Sequence, residues 1–367
     1  MKVIVIGLGG MGSAAAAHLA ARGAQVIGIE RFTPAHDRGS SHGRSRIIRQ
    51  AYFEGAQYVP LLLRAYELWR QLDPSLLHIT GGLMIGAPDS EVFTGSLASA
   101  RAHGLAHEVL DAAEIRRRYP PLKPGDDIVA LYEPMAGFVV PEDCTLAHLE
   151  HAARHGAELH FEEAVTSWSA SSSGVRVTTT HATYEADRLV IAPGAWAPEL
   201  FAELEIPFTI ERQVLFWFAP PGGDAPFRRF PIYIWELDRT VHFYGFQADS
   251  VGVKVALYHG GDVCTAETID RSVRAEEVEN VRAILAERIP ALNAPLVDAT
   301  TCMYTNTPDL HFVLGLHPAH ANVVVASPCS GHGYKFASVI GEILADLAIA
   351  GGTAHPIEEF RPTRFAR

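Results

Sequence analysis

Residues 1–30, MKVIVIGLGGMGSAAAAHLAARGAQVIGIE, carry a strand, a glycine turn, an alanine-rich helix, a second strand and a terminal acid in that order. Residues 3–6 are a continuous apolar run, the pattern of a parallel strand covered on both faces. Gly7, Gly9 and Gly12 follow at the spacing that lets backbone approach a pyrophosphate. Gly7 permits the tight turn, Gly9 removes a side chain that would meet phosphate, and Gly12 lets the helix pack close to the strand. The helix N-terminus then offers unpaired N–H groups and a positive dipole end to an anion, and Gly23 stops the helix. Glu30 can accept hydrogen bonds from a ribose hydroxyl pair. Glycine turns alone also serve plain packing; the ordered combination implies a dinucleotide carrying ADP. Glu30 disfavours a 2′-phosphate by like charge, while Arg31 beside it keeps NADP open. Nicotinamide and flavin are not distinguished by this unit.

The 367 residues, 48% hydrophobic and 20% charged, can bury a large core and imply two domains. A formal charge of −12 without a long basic run excludes nucleic acid and an anionic membrane surface as partners. No apolar stretch reaches transmembrane length, the glycines interrupt any secretory reading of the N-terminus, and the ending RPTRFAR matches no lipidation or peroxisomal signal. A cytoplasmic location is expected. Cys144, Cys264, Cys302 and Cys329 show neither CxxC spacing nor disulfide-scaffold density. The 18 histidines form no HExxH or HxH motif, and His103, His107, His148 and His151 read as polar helical surface, so no metal is expected.

Apolar spacing in YVPLLLRAYELWRQL predicts an amphipathic helix with Pro60 in its first turn. ITGGLMIGA reads as a strand, AEIRRRYPPL as a short helix broken by prolines, and ALYEPMAGFVV as two short strands around a turn. TLAHLEHAARHGAELHFEEAV returns to helix then strand, and VRVTTTHATYEADRLVIAPGAW to a hairpin ending in a buried run before Gly194. QVLFWFAP, IYIWEL, VHFYGF and VGVKVALYH are the strands of a second sheet, followed by the helix around EEVENVRAILAERI. ANVVVASPCSGHGYKFASVIGEILADLAIA supplies a strand, a glycine turn and a long helix that rejoin the first domain. The domains are therefore interleaved, with residues 1–80, 139–206 and 300–367 in one and 81–138 and 207–299 in the other.

Arg44, Arg46 and Arg49 form a basic cluster in an acidic chain; if helical, Arg46 and Arg49 share a face and can fork a carboxylate or a flavin oxygen. Salt bridging to surface acids is the plain alternative. Lys254 interrupts an apolar strand, where it either guards a sheet edge or enters a cavity and supports developing negative charge on oxygen. Lys335 follows Gly331 and Gly333, which admit close approach of a planar ring, and its charge can bind a carboxylate. Cys302, alone, reads as a small buried hydrophobe or a reactive thiol.

VIVIGLGGMGSA, GSSHGRSRIIRQAY, YVPLLLRAYELW, GVKVALYHGG, CMYTNTPD and SGHGYKF together resemble, in order and over nearly the whole chain, the monomeric sarcosine oxidase and N-methyltryptophan oxidase family of FAD enzymes. The resemblance implies an α/β fold in which a Rossmann-like FAD-binding domain interleaves with a mixed-sheet α+β substrate domain. It implies FAD joined by a thioether from Cys302 to the 8α-methyl, with Gly7, Gly9, Gly12, Glu30, Arg31, Ser41, His42, Arg46, Val165, Gly194, Trp196, Gly331, Gly333 and Lys335 on the cofactor side. Arg49 and Lys335 would grip a substrate carboxylate, Lys254 would sit where oxygen is activated, and Tyr244, His259 and Tyr304 would line the substrate pocket. The implied activity is oxidation of an N-methyl or cyclic secondary amino acid to an imine, with O2 reduced to hydrogen peroxide, by a monomer. His259 lies one residue farther from Lys254 than in the family pattern, which calls for a bulge. Tyr233 and Trp235 are either pocket wall or core. A flavin dehydrogenase of the same fold, an NAD-linked dehydrogenase and a non-catalytic flavin redox sensor are the competing readings.

Overall fold

In the computed structural model, which describes residues 1–365, the opening unit forms the strand Lys2–Ile6, the helix Gly10–Ala21 and the strand Gln25–Ile29. The last two residues of RPTRFAR lie outside the described residues. Six strands make the first sheet, in the order Val313–Leu316, Val323–Ser327, Arg188–Ile191, Lys2–Ile6, Gln25–Ile29, Glu158–His160. Every ladder is parallel except that of the edge strand Val313–Leu316. Side chains alternate across the sheet. Val3 and Val5 join a core with the helices Gly10–Ala21, Val59–Leu72 and Ala337–Ala350, while Ile4 and Ile6 pack with Val175 and Val177 of a small antiparallel sheet on the other face.

Small residues set how closely these layers approach. Gly7 has a φ of +81°, and a Cβ on Gly12 would lie 1.7 Å from the Gly7 carbonyl oxygen. Gly341 touches the backbone of Ala14 across the helix pair, where a Cβ would stand 2.5 Å from the Ala14 carbonyl carbon.

The second sheet has nine strands. Val263–Cys264, Thr209–Phe218, Val253–Tyr258, His242–Ala248, Ile232–Glu236, Gly82–Gly86, Val129–Glu133 and Glu108–Asp111 lie in that order, and Leu296–Asn306 also pairs with Thr209–Phe218. The Ile232–Glu236 to Gly82–Gly86 ladder is parallel within an otherwise antiparallel sheet. The expected division at 300 falls inside Leu296–Asn306, which stays hydrogen-bonded to its neighbour through the pair Asn306 and Thr209. The division at 139 cuts Gly137–Val139, which pairs with Arg46–Ile48 and Leu77–Ile79 in a separate small sheet.

Two sequence readings change, and the open one at Tyr233 and Trp235 is decided. Residues 46–48 are a strand, so Arg46 and Arg49 do not share a helical face. His148 is buried against Trp69 instead of lying on a polar surface, and burial pulls its pKa down to about 3. Tyr233 and Trp235 sit in the core beside Phe243, and the intervening Ile234 takes the opposite face. Among the described residues no helix is long and apolar enough to cross a membrane.

Overpacking a tight contact costs roughly 1–3 kcal/mol. Gly341→Ala should therefore lower the urea midpoint of unfolding, at unchanged slope, by that cost divided by the slope; an unshifted midpoint would show that the helix contact is loose.

Candidate active site

A cavity of about 640 Å³ runs from the glycine turn of the first sheet to the inner face of the second. At its nucleotide end the wall is Gly7, Gly9 and Gly10, with Glu30 and Arg31 beside them. A Cβ on Gly9 would meet only Ser41 Oγ, at 3.4 Å, so the turn leaves room for a group at the helix N-terminus. Gly10 N donates to Ser41 Oγ (3.0 Å), which ties the loop after the second strand to the turn. Leu8 N donates to one Glu30 oxygen (2.8 Å) and Phe32 N to the other (3.0 Å), fixing the carboxylate while leaving acceptor capacity for a ribose. Val165, Gly194 and Trp196 continue the wall, and Arg31 and Trp196 both donate to Glu267.

Farther in, the Leu296–Asn306 strand brings Cys302 into the cavity wall, where Arg46 Nη2 donates to its Sγ at 3.3 Å. Arg46 also donates to the Ser40 and Ser45 carbonyls, both at 3.0 Å, and so cannot turn away. Burial opposes ionisation of the thiol, yet Arg46 and His42 outweigh it and bring the pKa down to about 6. Cys302 is thus a thiolate at neutral pH, the nucleophilic form. His42 stands behind the wall with a buried Nε2 that has no partner.

At the opposite end two cations converge. Arg49 donates from Nη1 to the Ala51 carbonyl (2.8 Å) and from Nη2 to Glu54 Oε2 (2.5 Å), while its Nε is buried without an acceptor. Lys335, in the turn Tyr334–Phe336 ahead of the helix Ala337–Ala350, donates to the His332 carbonyl (2.6 Å) and to Tyr52 Oη (3.3 Å). Burial, reinforced by Arg49 and opposed by Glu54, brings the Lys335 pKa down to about 7. Burial would raise the Glu54 pKa, but Arg49, His332 and Lys335 hold it below the usual carboxylate range. One carboxylate thus faces two cations, which leaves net positive charge at this end of the cavity.

Several expected residues stand elsewhere. Lys254 lies on an interior strand, which removes the edge-strand reading, but it does not line the cavity. Its Nζ donates to the Gly43 carbonyl (2.6 Å), the Ser45 carbonyl (2.8 Å) and Ser45 Oγ (3.2 Å), directly behind the loop that carries Arg46. Burial and the Arg46 charge pull its pKa well below the lysine range. His259 follows the end of Val253–Tyr258 with a φ of +63°; the expected bulge is not in this strand, the register shift of the ladder falling between Gly245 and Ala248 of its neighbour. It packs behind Tyr304 and bonds to Glu211 (3.2 Å), outside the cavity wall. Gly12 is also outside the wall, because its role is the close contact to Gly7. Arg44 is exposed and pairs with Asp298, the plain reading of that residue. Tyr244, Tyr304, Gly331, Arg49 and Lys335 do line the cavity. Gly333 lines it too, although a Cβ there would strike the Pro328 carbonyl, so packing demands the glycine.

Sequence reading missed Phe53, Glu54, Ile234, Tyr258 and His332, all in the wall. His332 sits inside the quoted SGHGYKF, and Glu54 lies five residues after Arg49; a strand that ends at Ile48 and then curls is what pairs them. Away from the cavity, Glu203, His317 and His320 bring ligand-type atoms within 4.8 Å of one another. Ala319 N donates to His317 Nδ1, which makes Nε2 the protonated nitrogen facing Glu203, so the cluster is a hydrogen-bonded turn.

The fold and the cavity define a dinucleotide-dependent oxidoreductase with two buried cations, Arg49 and Lys335, at the far end of the cavity. The profile of the FAD dependent oxidoreductase family (DAO) matches residues 2–347. A monomeric sarcosine oxidase of Streptomyces avermitilis is 56% identical over 374 residues, covering 99% of this chain and 97% of that one. An N-methyl-L-tryptophan oxidase of Salmonella dublin is 32% identical, covering 100% and 99%. An L-proline dehydrogenase of P. horikoshii superposes with a TM-score of 0.86 at 25% identity, over 99% of this chain and 97% of that one. The chain belongs to the FAD-dependent oxidoreductases, within the monomeric sarcosine oxidase and N-methyltryptophan oxidase family, and is an oxidoreductase of CH–NH donors.

The ammonium form of Lys335 predominates below about pH 7 and is lost above it, whereas Arg49 stays charged. Acetate, followed by perturbation of flavin absorbance, should accordingly bind more weakly as pH rises from 6 to 9, and Lys335→Arg should flatten that dependence. A pH-independent affinity in the parent enzyme would remove Lys335 from the anion site.

Proposed function

We propose that the enzyme is an FAD-dependent oxidase of small secondary amino acids, N-methyl or cyclic, giving an imine and hydrogen peroxide. The observation that carries this reading is the convergence of Arg49 and Lys335 on one end of a cavity whose other end is built for ADP. Bound FAD supplies acceptance of a hydride equivalent from the amine and transfer of the electron pair to O2.

The protein's part is orientation and charge. Arg49 and Lys335, both in the cavity wall, fix the substrate carboxylate. Their positive field disfavours an ammonium next to it, so the amine is held in the neutral form that can react. Tyr244, Tyr304 and Ile234 supply wall on the second-sheet side. Imine hydrolysis then needs only water; from sarcosine the products are glycine and formaldehyde.

We assign Cys302 as the covalent anchor, supported by its ionised thiol beside Arg46 and His42. Lys254 is assigned to the reaction with oxygen, supported by its burial beside Arg46. We read the protein as a monomer with FAD-binding and substrate domains that follow the two large sheets. Four unpaired cysteines fit the reducing cytoplasm.

A dehydrogenase passing electrons to a quinone or carrier is favoured by one observation, the withdrawal of Lys254 from the cavity wall. Oxygen consumption over sarcosine, N-methylated amino acids, pipecolate and proline decides between them. One peroxide per imine is the expected result, with oxygen reactivity reduced in Lys254→Met; imine formed without peroxide would establish the dehydrogenase. Acid-precipitated protein should remain yellow, and Cys302→Ser should release its flavin into the supernatant. Colourless precipitate from the parent enzyme would contradict the anchor.

A further inference from the structure

Phe53 stands in the cavity wall next to the anion-binding end, and the described fold gives its ring little freedom to leave. Gln50 N and Ala51 N donate to the two oxygens of Glu133 (2.8 and 2.9 Å), and Tyr52 N donates to Ser99 Oγ (2.7 Å). A Cβ on Gly95 would lie 2.9 Å from the Cα and the carbonyl oxygen of Phe53, so the helix Glu91–Ala102 presses directly on its backbone. The backbone is fixed by these contacts, and the ring itself is packed against Arg49 and Tyr258.

The ring has two neighbours that matter for substrate. The Arg49 guanidinium carbon is 4.4 Å from the centre of the Phe53 ring and 4.2 Å from that of Tyr52, so the cation is held by two successive aromatic rings. Tyr258 meets Phe53 edge-on, with centroids 6.5 Å apart and planes at 89°. A carboxylate gripped by Arg49 therefore has an aromatic wall beside its α-carbon.

We propose that Phe53 is the size filter of the amine pocket and restricts the enzyme to secondary amino acids with a compact α-substituent. The filter rests on the assignment of Arg49 and Lys335 to the substrate carboxylate. A rigid ring that shares its face with the carboxylate anchor cannot yield to a bulky side chain without displacing the anchor. Sarcosine and small cyclic amines pass, and N-methylated aromatic amino acids are excluded.

The test compares kcat/KM for sarcosine and N-methyl-L-phenylalanine in the parent enzyme, Phe53→Ala and Phe53→Leu. The parent should favour sarcosine, and Phe53→Ala should reduce that preference by about tenfold or more through a gain on the larger amine. Phe53→Leu, which keeps more of the volume, should change it less. A parent enzyme indifferent to size, or a Phe53→Ala ratio within about twofold of the parent, overturns the filter. Where Phe53→Ala fails to hold flavin, acetate and 3-phenylpropionate are compared as ligands of the parent by flavin absorbance: tighter acetate binding supports the filter, and equal affinity overturns it. Binding of neither carboxylate removes the anion site itself and this inference with it.

Discussion

Positive charge buried where the two large sheets meet must be answered by negative charge. Isolated buried cations are costly, and the cost is relieved by pairing, hydrogen bonding or loss of the proton. All three responses occur here. Arg46 faces the Cys302 thiolate, Arg49 faces Glu54, and Lys335 is shifted toward neutrality at about 7. Arg49 lines the cavity, and its Nε–H is buried without an acceptor. In the proposed reaction the substrate carboxylate balances the positive charge that remains.

The fold exists to bring these groups together from distant parts of the chain. Cys302 arrives on the Leu296–Asn306 strand of the nine-stranded sheet, while Arg46 and Arg49 come from either end of a three-residue strand in a small separate sheet. Lys335 is delivered by the turn that joins the first sheet to the Ala337–Ala350 helix. No single element could position them all. Glu133 illustrates the supporting layer: fully buried, with its pKa raised by burial and held back by the Ala51 and Gln50 N–H groups, it fixes the backbone just after Arg49.

The nucleotide end was legible in the sequence because its determinants are local. Gly7, Gly9, Gly12 and Glu30 lie within one local strand, turn, helix and strand: backbone geometry demands Gly7 and Gly12, Gly9 leaves room at the helix N-terminus, and Glu30 accepts from Leu8 N. The reacting end was less legible. Arg46, Arg49, Lys335 and Cys302 were recognised through the ordered motifs of a resembling family, but Phe53 and Glu54 carry no local pattern and reach the cavity through chain curvature after residue 48, while Tyr258 reaches it from the end of the Val253–Tyr258 strand. Lys254 and His259 show the converse limit. Motif position brought them near the site, but Lys254, on the same strand face as Ala256 and Tyr258, is covered by the Gly43–Ser45 segment, and a left-handed backbone at His259 carries that residue out of the wall. Tyr233 and Trp235 followed the two-residue period of their strand, which sent both to the core and Ile234 to the cavity.

The central claim is that Arg49 and Lys335 together hold an anion at the reacting end of the cavity. A crystal structure of the flavin-containing enzyme with acetate tests it most directly. The account predicts one carboxylate within hydrogen-bond distance of both Arg49 and Lys335 Nζ, on the Phe53 side of the cavity. Acetate bound elsewhere, with Arg49 engaged only by Glu54 and the Ala51 carbonyl, would contradict it.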